Sequence, residues 1–442
     1  LDKTQKLTLL SNYASFKNIR IRKKSSIIQP DINNDWINQG DNAFNSFIPL
    51  GEKNKSNDTI IFTNYSRGLE TSRDAWCYNS SKKRLIANIK KTIDFYNQNL
   101  SSNIPLIDLK EISWTRGLKK DFSKKVKKEF NEKSIYQASY RPFDNSKYVY
   151  FDRSLNEYVN QLPKFFPTNK HENLILCLSG IGSGEFSCLM TKNIPDLNIF
   201  QPSQCFPLYE YIQEQESENL IPGLKPITSE RTCNISDNCH KRFLRKYFPN
   251  QLSKKDIFFY VYGMLHSKEY LDRFRNNLSK QLPRIPLVDN FELFRKISQS
   301  GSKLCEIHIN FERAEEYPLV FKEGDLRLLY IENSKEFFKV EKMKFSKSND
   351  KSSIIYNNNL TIENIPLEVY EYKVNGKSAL EWVMDRQSIK IDTKTSIINN
   401  PNEYAIEAKN DPSYPLKLIS KIITVSLETL EILKNLPPLN IN

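Results

Sequence analysis

Apolar residues recur at helical intervals in several stretches of the chain. Leu85, Ile89, Ile93 and Tyr96 fall three or four positions apart within SKKRLIANIKKTIDFYNQNL, residues 81–100. That spacing predicts an amphipathic helix, flanked by Lys82, Lys83, Arg84, Lys90 and Lys91. Phe122, Val126 and Phe130 repeat every four residues and predict a helix over 112–130 with one apolar seam. Farther on, Ser253 and Asp256 stand in a capping arrangement ahead of IFFYVYGML. Ser267 can cap a second helix with the stripe Leu271, Phe274 and Leu278. A third is marked by Phe294, Ile297, Gly301, Leu304 and His308, where the histidine reads as a surface or packed residue. PLKLISKIITVSLETLEILKNL predicts a last helix.

Between these lie strand patterns. DTIIFTNYS (58–66) is a short β-rich apolar run bounded by polar residues. IYQASYRPFDNSKYVYFD (135–152) and NLILCLSGIGSGEFSCLMT (173–191) give further strands, with LILCL reading as one buried on both faces. LRLLYIE and FFKVEKMKF, between 326 and 362, alternate like strands as well. ESENLIPGLKPITSERTCNISDN (216–238) is polar and turn-rich, the pattern of a linker or long loop. The fold class expected is α+β: a strand-rich mixed-sheet first half, then a helical subdomain with a small sheet.

Composition narrows the partners. The 442 residues carry 65 Lys and Arg against 52 Asp and Glu, a net charge of +13. Such a balance favours an anionic partner, nucleic acid first and a membrane surface second. No apolar run approaches the ~20 residues of a membrane span, and nothing at the N-terminus reads as a signal peptide, so a cytoplasmic location is expected. The seven cysteines are scattered and read as free buried thiols. Cys233, Cys239 and His240 are spaced wrongly for a standard zinc finger. The most basic window holds Arg116, Lys119, Lys120, Lys124, Lys125, Lys127 and Lys128 against Asp121 and Glu129. It is either a solvated helix face or, given its excess of one sign, a phosphate contact.

Catalytic patterns are scarce. Four histidines leave little for acid–base work, and no serine sits in a nucleophile elbow. Pro195-Asp196 is not followed by the Glu-x-Lys of a metal-dependent nuclease. Gly180, Gly182 and Gly184 in SGIGSGEFS match neither a Walker loop nor a dinucleotide fingerprint, so a tight hairpin is expected there. Aromatics lie among the charges at Tyr65, Trp76, Tyr78, Trp114, Tyr136, Tyr140, Phe143 and Tyr148. The residues alone therefore describe a basic binding module.

Five motifs then occur in a familiar order: TNYSRGLETSRDAWCYN, YRPFDNSKYVYFDR, IPDLNIFQPSQCFPLYEY, DIFFYVYGMLHSKEYLDRFRNNLSKQLPRIP and YEYKVNGKSALEWVMDRQ. From about Trp36 onward the chain resembles the C-terminal specificity region of Type ISP restriction–modification enzymes. These are single chains with a nuclease, a translocating helicase, an adenine-N6 methyltransferase and a target recognition domain. The resemblance implies the DNA-reading part without the activities. S-adenosylmethionine, ATP and Mg are then expected only in the other domains, and none in this stretch. The implied partners are double-stranded DNA and the parent chain's methyltransferase and helicase domains, with no membrane. The division expected is 1–55, a connecting arm after a missing methyltransferase domain, bearing the basic IRIRKK at 19–24; 56–235, the DNA target recognition domain; 236–310, a helical scaffold; and 311–442, a C-terminal α/β part.

Candidate contacts follow. Arg67 and Arg73 are read as touching bases or phosphate, since a guanidinium fork suits both; the alternative is a salt bridge of Arg73 to Asp74 or Glu70. Asp74 is expected to orient an arginine, and Trp76 to lie in the core. Arg116, Lys119, Lys120 and Lys124 would grip phosphates. Tyr140 and Arg141 form the next pair, with Arg141 held extended before Pro142; a strand-end turn with a surface arginine is the alternative. Ser179, Ser183 and Glu185 in the glycine hairpin could enter a groove, and Gln204 could read adenine. Two other classes stay open: an S-adenosylmethionine-binding methyltransferase fragment using SGIGSGEFS, and a structural coupler that binds protein.

Overall fold

A computed structural model describes residues 2–13, 28–31, 34–52, 59–102, 111–212, 230–347 and 350–439. The Lys82–Gln98 helix starts at Ser81, whose hydroxyl accepts the amide of Arg84, and it buries Leu85, Ile89, Ile93 and Tyr96 as their spacing predicts. Ser253 and Asp256 form a reciprocal capping box on the Lys254–Met264 helix. That helix packs along Phe291–Ile309 so closely that a Cβ on Gly301 would lie 1.9 Å from the Phe259 carbonyl oxygen. His308, near the end of the second helix, is buried. Its Nδ1 meets the Tyr262 hydroxyl at 2.6 Å, and its Nε2 meets the Thr429 hydroxyl at 3.0 Å and that of Tyr372 at 3.1 Å. It thereby ties both helices to the long C-terminal helix, Tyr414–Lys434.

Three four-stranded sheets organise the rest. The first runs Ser66–Arg67, Ser203–Pro207, Ile175–Ser179, Cys188–Thr191, all antiparallel. The second runs Tyr78–Asn79, Lys147–Tyr150, Ile135–Ser139, Ile194–Pro195, with the last pair parallel. The third, Val320–Phe321, Thr361–Glu363, Asp350–Ile355, Lys344–Lys347, belongs to the C-terminal part. The result is the mixed α+β fold expected.

The continuous apolar strand explains itself. Every residue of Ile175–Ser179 is buried. Ile175 and Cys177 join one core, whereas Leu176 and Leu178 join another. Alternate side chains leave opposite faces of a strand, so this strand separates two hydrophobic layers. The first core continues through Phe143 and Phe311 to Val383 and Ile419, linking the 56–235 stretch to the C-terminal part. The second joins Phe44, Ile48 and Leu50 to the helices after 236.

Several elements depart from the expected pattern. DTIIFTNYS is largely irregular: Phe62 makes one bridge to Ile235, and regular pairing begins at Ser66. The 112–130 helix is confined to Arg116–Ser123, and Lys125 adopts a positive φ of 52° that no continuing helix allows. Val126 is exposed rather than part of a seam. LRLLYIE is no strand; Leu326–Leu328 is a 3-10 turn capped by Asp325, and Leu328 and Tyr330 face solvent. The IRIRKK segment and residues 216–229 lie outside the described residues. All seven cysteines are free and all but Cys233 are buried. Among the described residues no helix is long and apolar enough to cross a membrane.

Candidate nucleic-acid interface

Arg67 lies on the edge strand of the first sheet, directly opposite Gln204. The residues before and after them in the pairing, Ser66 and Cys205, point inward and are buried. Strand alternation therefore turns Arg67 and Gln204 outward together; Arg67 is exposed and Gln204 half-buried. They share an open cleft with Glu52, Asn64, Tyr65, Asn160 and Gln161. The cleft is rigidly backed. Tyr65 stacks on Phe206 with ring centroids 4.9 Å apart. Asn234 accepts the Asn64 amide at 2.9 Å, and the Gln161 amide donates to the Ser66 hydroxyl at 3.2 Å. Asn160 has a positive φ of 49°, a turn conformation in which asparagine is favoured.

Arg73 is different, and the expectation that it touches DNA is corrected by its burial. It is 2% exposed. Its Nε donates to the Ser113 carbonyl at 3.1 Å, Nη1 to the carbonyls of Thr71 and Leu155, and Nη2 to the Thr115 hydroxyl at 2.6 Å. No salt bridge to Asp74 or Glu70 forms; Asp74 instead accepts from the hydroxyls of Thr71 and Tyr140. Burial lowers the Arg73 pKa from its ordinary value. Trp76 is half-buried rather than in the core.

What Arg73 holds is the start of the basic helix. Thr115 is the N-cap of Arg116–Ser123 but caps nothing with its side chain, because its hydroxyl is taken by Arg73. Leu118 and Phe122 seat the helix, the latter edge-on to Trp114 and Tyr96. Arg116, Lys119, Lys120 and Lys124 are left exposed. Lys128 is withdrawn from that face, buried against Asp121 and over the Tyr96 ring. The Gly117 amide meets Glu157 Oε1 at 3.4 Å. Residues 157–161 thus touch the basic helix at one end and line the Arg67 cleft at the other.

Tyr140 and Arg141 also turn inward, against expectation. Arg141 Nη1 pairs with Asp196 Oδ1 at 2.7 Å, and its guanidinium lies 4.0 Å from the Tyr140 ring centroid. Asp196 further accepts from the Tyr78 hydroxyl and the Asn198 amide. Burial pushes the Asp196 carboxyl up to about 7, with Arg141 and Tyr78 pulling the other way. Burial brings Lys147, over the same Tyr140 ring, down to about 8. A charge is kept in such a place only when paired and hydrogen-bonded.

The glycine stretch is a hairpin between Ile175–Ser179 and Cys188–Thr191. Gly182 and Gly184 take positive φ. The amides of Gly180, Gly182 and Ser183 donate to the carbonyls of Pro202, Ser279 and Gly180. These donors are spent inside the protein rather than displayed to a phosphate. Ser183, half-buried, gives its hydroxyl to the Gly180 carbonyl at 2.6 Å; Glu185 is exposed.

The structure thus brings Arg67 and Gln204 together, 137 residues apart in sequence. It places Arg116, Lys119 and Lys120 on one neighbouring helix with Lys124 at its end, buries Arg73, and leaves Tyr140 and Arg141 half-buried and paired within the protein. Sequence reasoning missed Asn64, Asn160 and Gln161; the Asn-Gln-Leu-Pro turn at 160–163 was the available signal.

Comparison with known proteins places this architecture. No match is found among curated proteins. Among solved structures, the ATP-dependent Type ISP restriction-modification enzyme LlaBIII bound to DNA aligns over 100% of this chain and 27% of its own, at 35% identity and a TM-score of 0.84. A nuclease-deletion mutant of the Type ISP restriction-modification enzyme LlaGI, in complex with a DNA substrate mimic, aligns over 99% of this chain and 32% of its own, at 34% identity and a TM-score of 0.80. A DrdV–DNA complex aligns over 98% and 42%, at 28% identity and a TM-score of 0.79. The chain therefore spans well under half the length of these relatives. With residues 60–418 matching its family model as well, the chain belongs to the Type ISP C-terminal specificity domain family.

Proposed function

We propose that this chain recognises a short double-stranded DNA site on behalf of a Type ISP restriction–modification enzyme. Adenine-N6 methylation and cleavage would be carried out by other domains, which would also bind S-adenosylmethionine, ATP and Mg. The observation that carries the reading is the joint placement of two chemistries. A row of exposed cations on Arg116–Ser123 and Lys124 suits phosphates. An outward Arg67–Gln204 pair in a cleft suits base edges. Phosphate contacts supply affinity and register, and base contacts supply choice. That these three relatives were solved with DNA or a DNA mimic supports the same reading. The methyltransferase and helicase domains of a parent chain would be the intramolecular partners, in the cytoplasm.

Gel-shift titration of a duplex against salt tests this. The dissociation constant is expected to rise steeply with ionic strength, by about one logarithmic slope unit for each phosphate contact. Binding indifferent to salt, or no preference for duplex over heparin, would sink the proposal.

A further inference from the structure

Resting on the recognition reading, the geometry points to a two-base readout: we propose that Arg67 and Gln204 act as one cross-strand unit reading two neighbouring purines from the major groove, a guanine by Arg67 and an adenine by Gln204. Three observations carry it. The two residues are register partners in an antiparallel pair, Arg67 opposite Gln204 and Ser66 opposite Cys205. Side chains directly opposite stand about 5 Å apart at Cβ and on the same face, comparable with the ~3.4 Å between stacked bases along a strand. A small convergence at their tips brings each onto its own base pair.

The strand that carries Arg67 is at the edge of its four-stranded sheet and Gln204 is on the next strand in, so both side chains are presented at the sheet's margin, beside the open cleft. That margin is held from behind: Ser66 is 4% exposed and Cys205 fully buried, and Cys205 pairs in turn with Cys177 in the middle of the sheet. A phosphate grip would require neither the amide nor the register. Arginine's fork matches O6 and N7 of guanine, and a glutamine amide matches N6 and N7 of adenine. Arg67 forms no salt bridge among the described residues, although Glu52 lines the same cleft. Asn160 and Gln161 border the same cleft with polar amides that suit neighbouring edges or bridging water, whereas the Asn64 amide donates to Glu210.

The test is selection from a pool of randomised duplex oligonucleotides by the 442-residue chain and three variants, with thermal melts to show that each is folded. The wild type should select a site in which a guanine adjoins an adenine. Arg67→Ala should lose the guanine preference alone, and Gln204→Ala the adenine preference alone, each by about tenfold or more at its position. Gln204→Arg should convert the adenine position to guanine, a gain that damaged folding does not produce. If the wild-type consensus survives Arg67→Ala and Gln204→Ala, or the altered positions are not adjacent, the two-base readout is overturned while target recognition stands. If each variant binds all sequences equally more weakly, both residues grip phosphate and the readout is likewise overturned. If the wild type selects no sequence, the readout and the recognition reading fall together.

Discussion

Arg67 and Arg73 are six residues apart, and their surroundings are opposites. Arg67 stands on a sheet edge with solvent on its outer side. Arg73 ends in four protein oxygens and is 2% exposed. The same contrast separates the exposed lysines of Arg116–Ser123 from Arg141 and Lys147, which flank the half-buried Tyr140 ring. A net charge of +13 therefore includes two populations. One is free to meet phosphate, and the other is spent inside the fold, holding the first in place. Arg73 is the clearest case, since its guanidinium occupies the hydroxyl of Thr115 at the mouth of the basic helix.

Substitutions sharpen that division, beginning with the deepest. Arg141→Ala strands Asp196, a 1%-exposed carboxylate, without its cation. Breaking a buried pair in this way should cost about 3 kcal/mol or more in urea denaturation. A loss below about 1 kcal/mol would move Arg141 into the exposed population. Arg73→Ala leaves several buried acceptors unpaired and should cost about 2 kcal/mol. It should also weaken duplex binding by releasing the helix that carries Lys119 and Lys120. Full binding by a destabilised Arg73→Ala would show that the helix needs no such anchor.

Acid should act on the interior alone. Burial holds the His308 pKa well below its ordinary value and that of His266 down to about 4. At these two sites the unfolded chain binds more protons than the folded one below pH ~6.5, while Asp196, raised to about 7, works in the opposite sense. The histidine contribution is complete above that pH and should fall as pH drops, by about 1.4 kcal/mol per pH unit for each, with Asp196 offsetting about one of the two. Urea midpoints between pH 7 and pH 5 measure this, and His308→Gln should flatten the dependence.

The smallest effect on stability is expected at the surface. Replacing Lys119, Lys120 and Lys124 together by Gln should change stability by no more than about 0.5 kcal/mol. The same triple change should lower the salt slope of DNA binding by about 3. An unchanged slope would favour a protein-binding coupler.

Legibility in the sequence followed the range of the forces involved. The Ser81 and Ser253 caps and the Leu85–Tyr96 stripe are local, and each is where spacing places it. LRLLYIE alternates like a strand yet finds no partner among the described residues to complete a ladder, and it turns instead. The lysine helix stops early because Lys125 takes a left-handed φ without a glycine to announce it. Motif similarity was informative about kinship and misleading about contact. YRPFDNSKYVYFDR, one of the stretches that carried the resemblance, folds into the Arg141–Asp196 and Lys147–Tyr140 cluster. Arg67 and Gln204 could be suspected singly, but only strand register joins them.

The core that runs from Phe143 through Phe311 to Ile419 also sets the unit in which specificity can be traded between enzymes. A graft confined to the first sheet would tear its apolar floor away from the C-terminal helix that completes it. Exchanging target preference by swapping pieces thus requires moving the two halves together. On the two-base reading, a lone change at the Arg67–Gln204 edge would be the cheaper route to a new site.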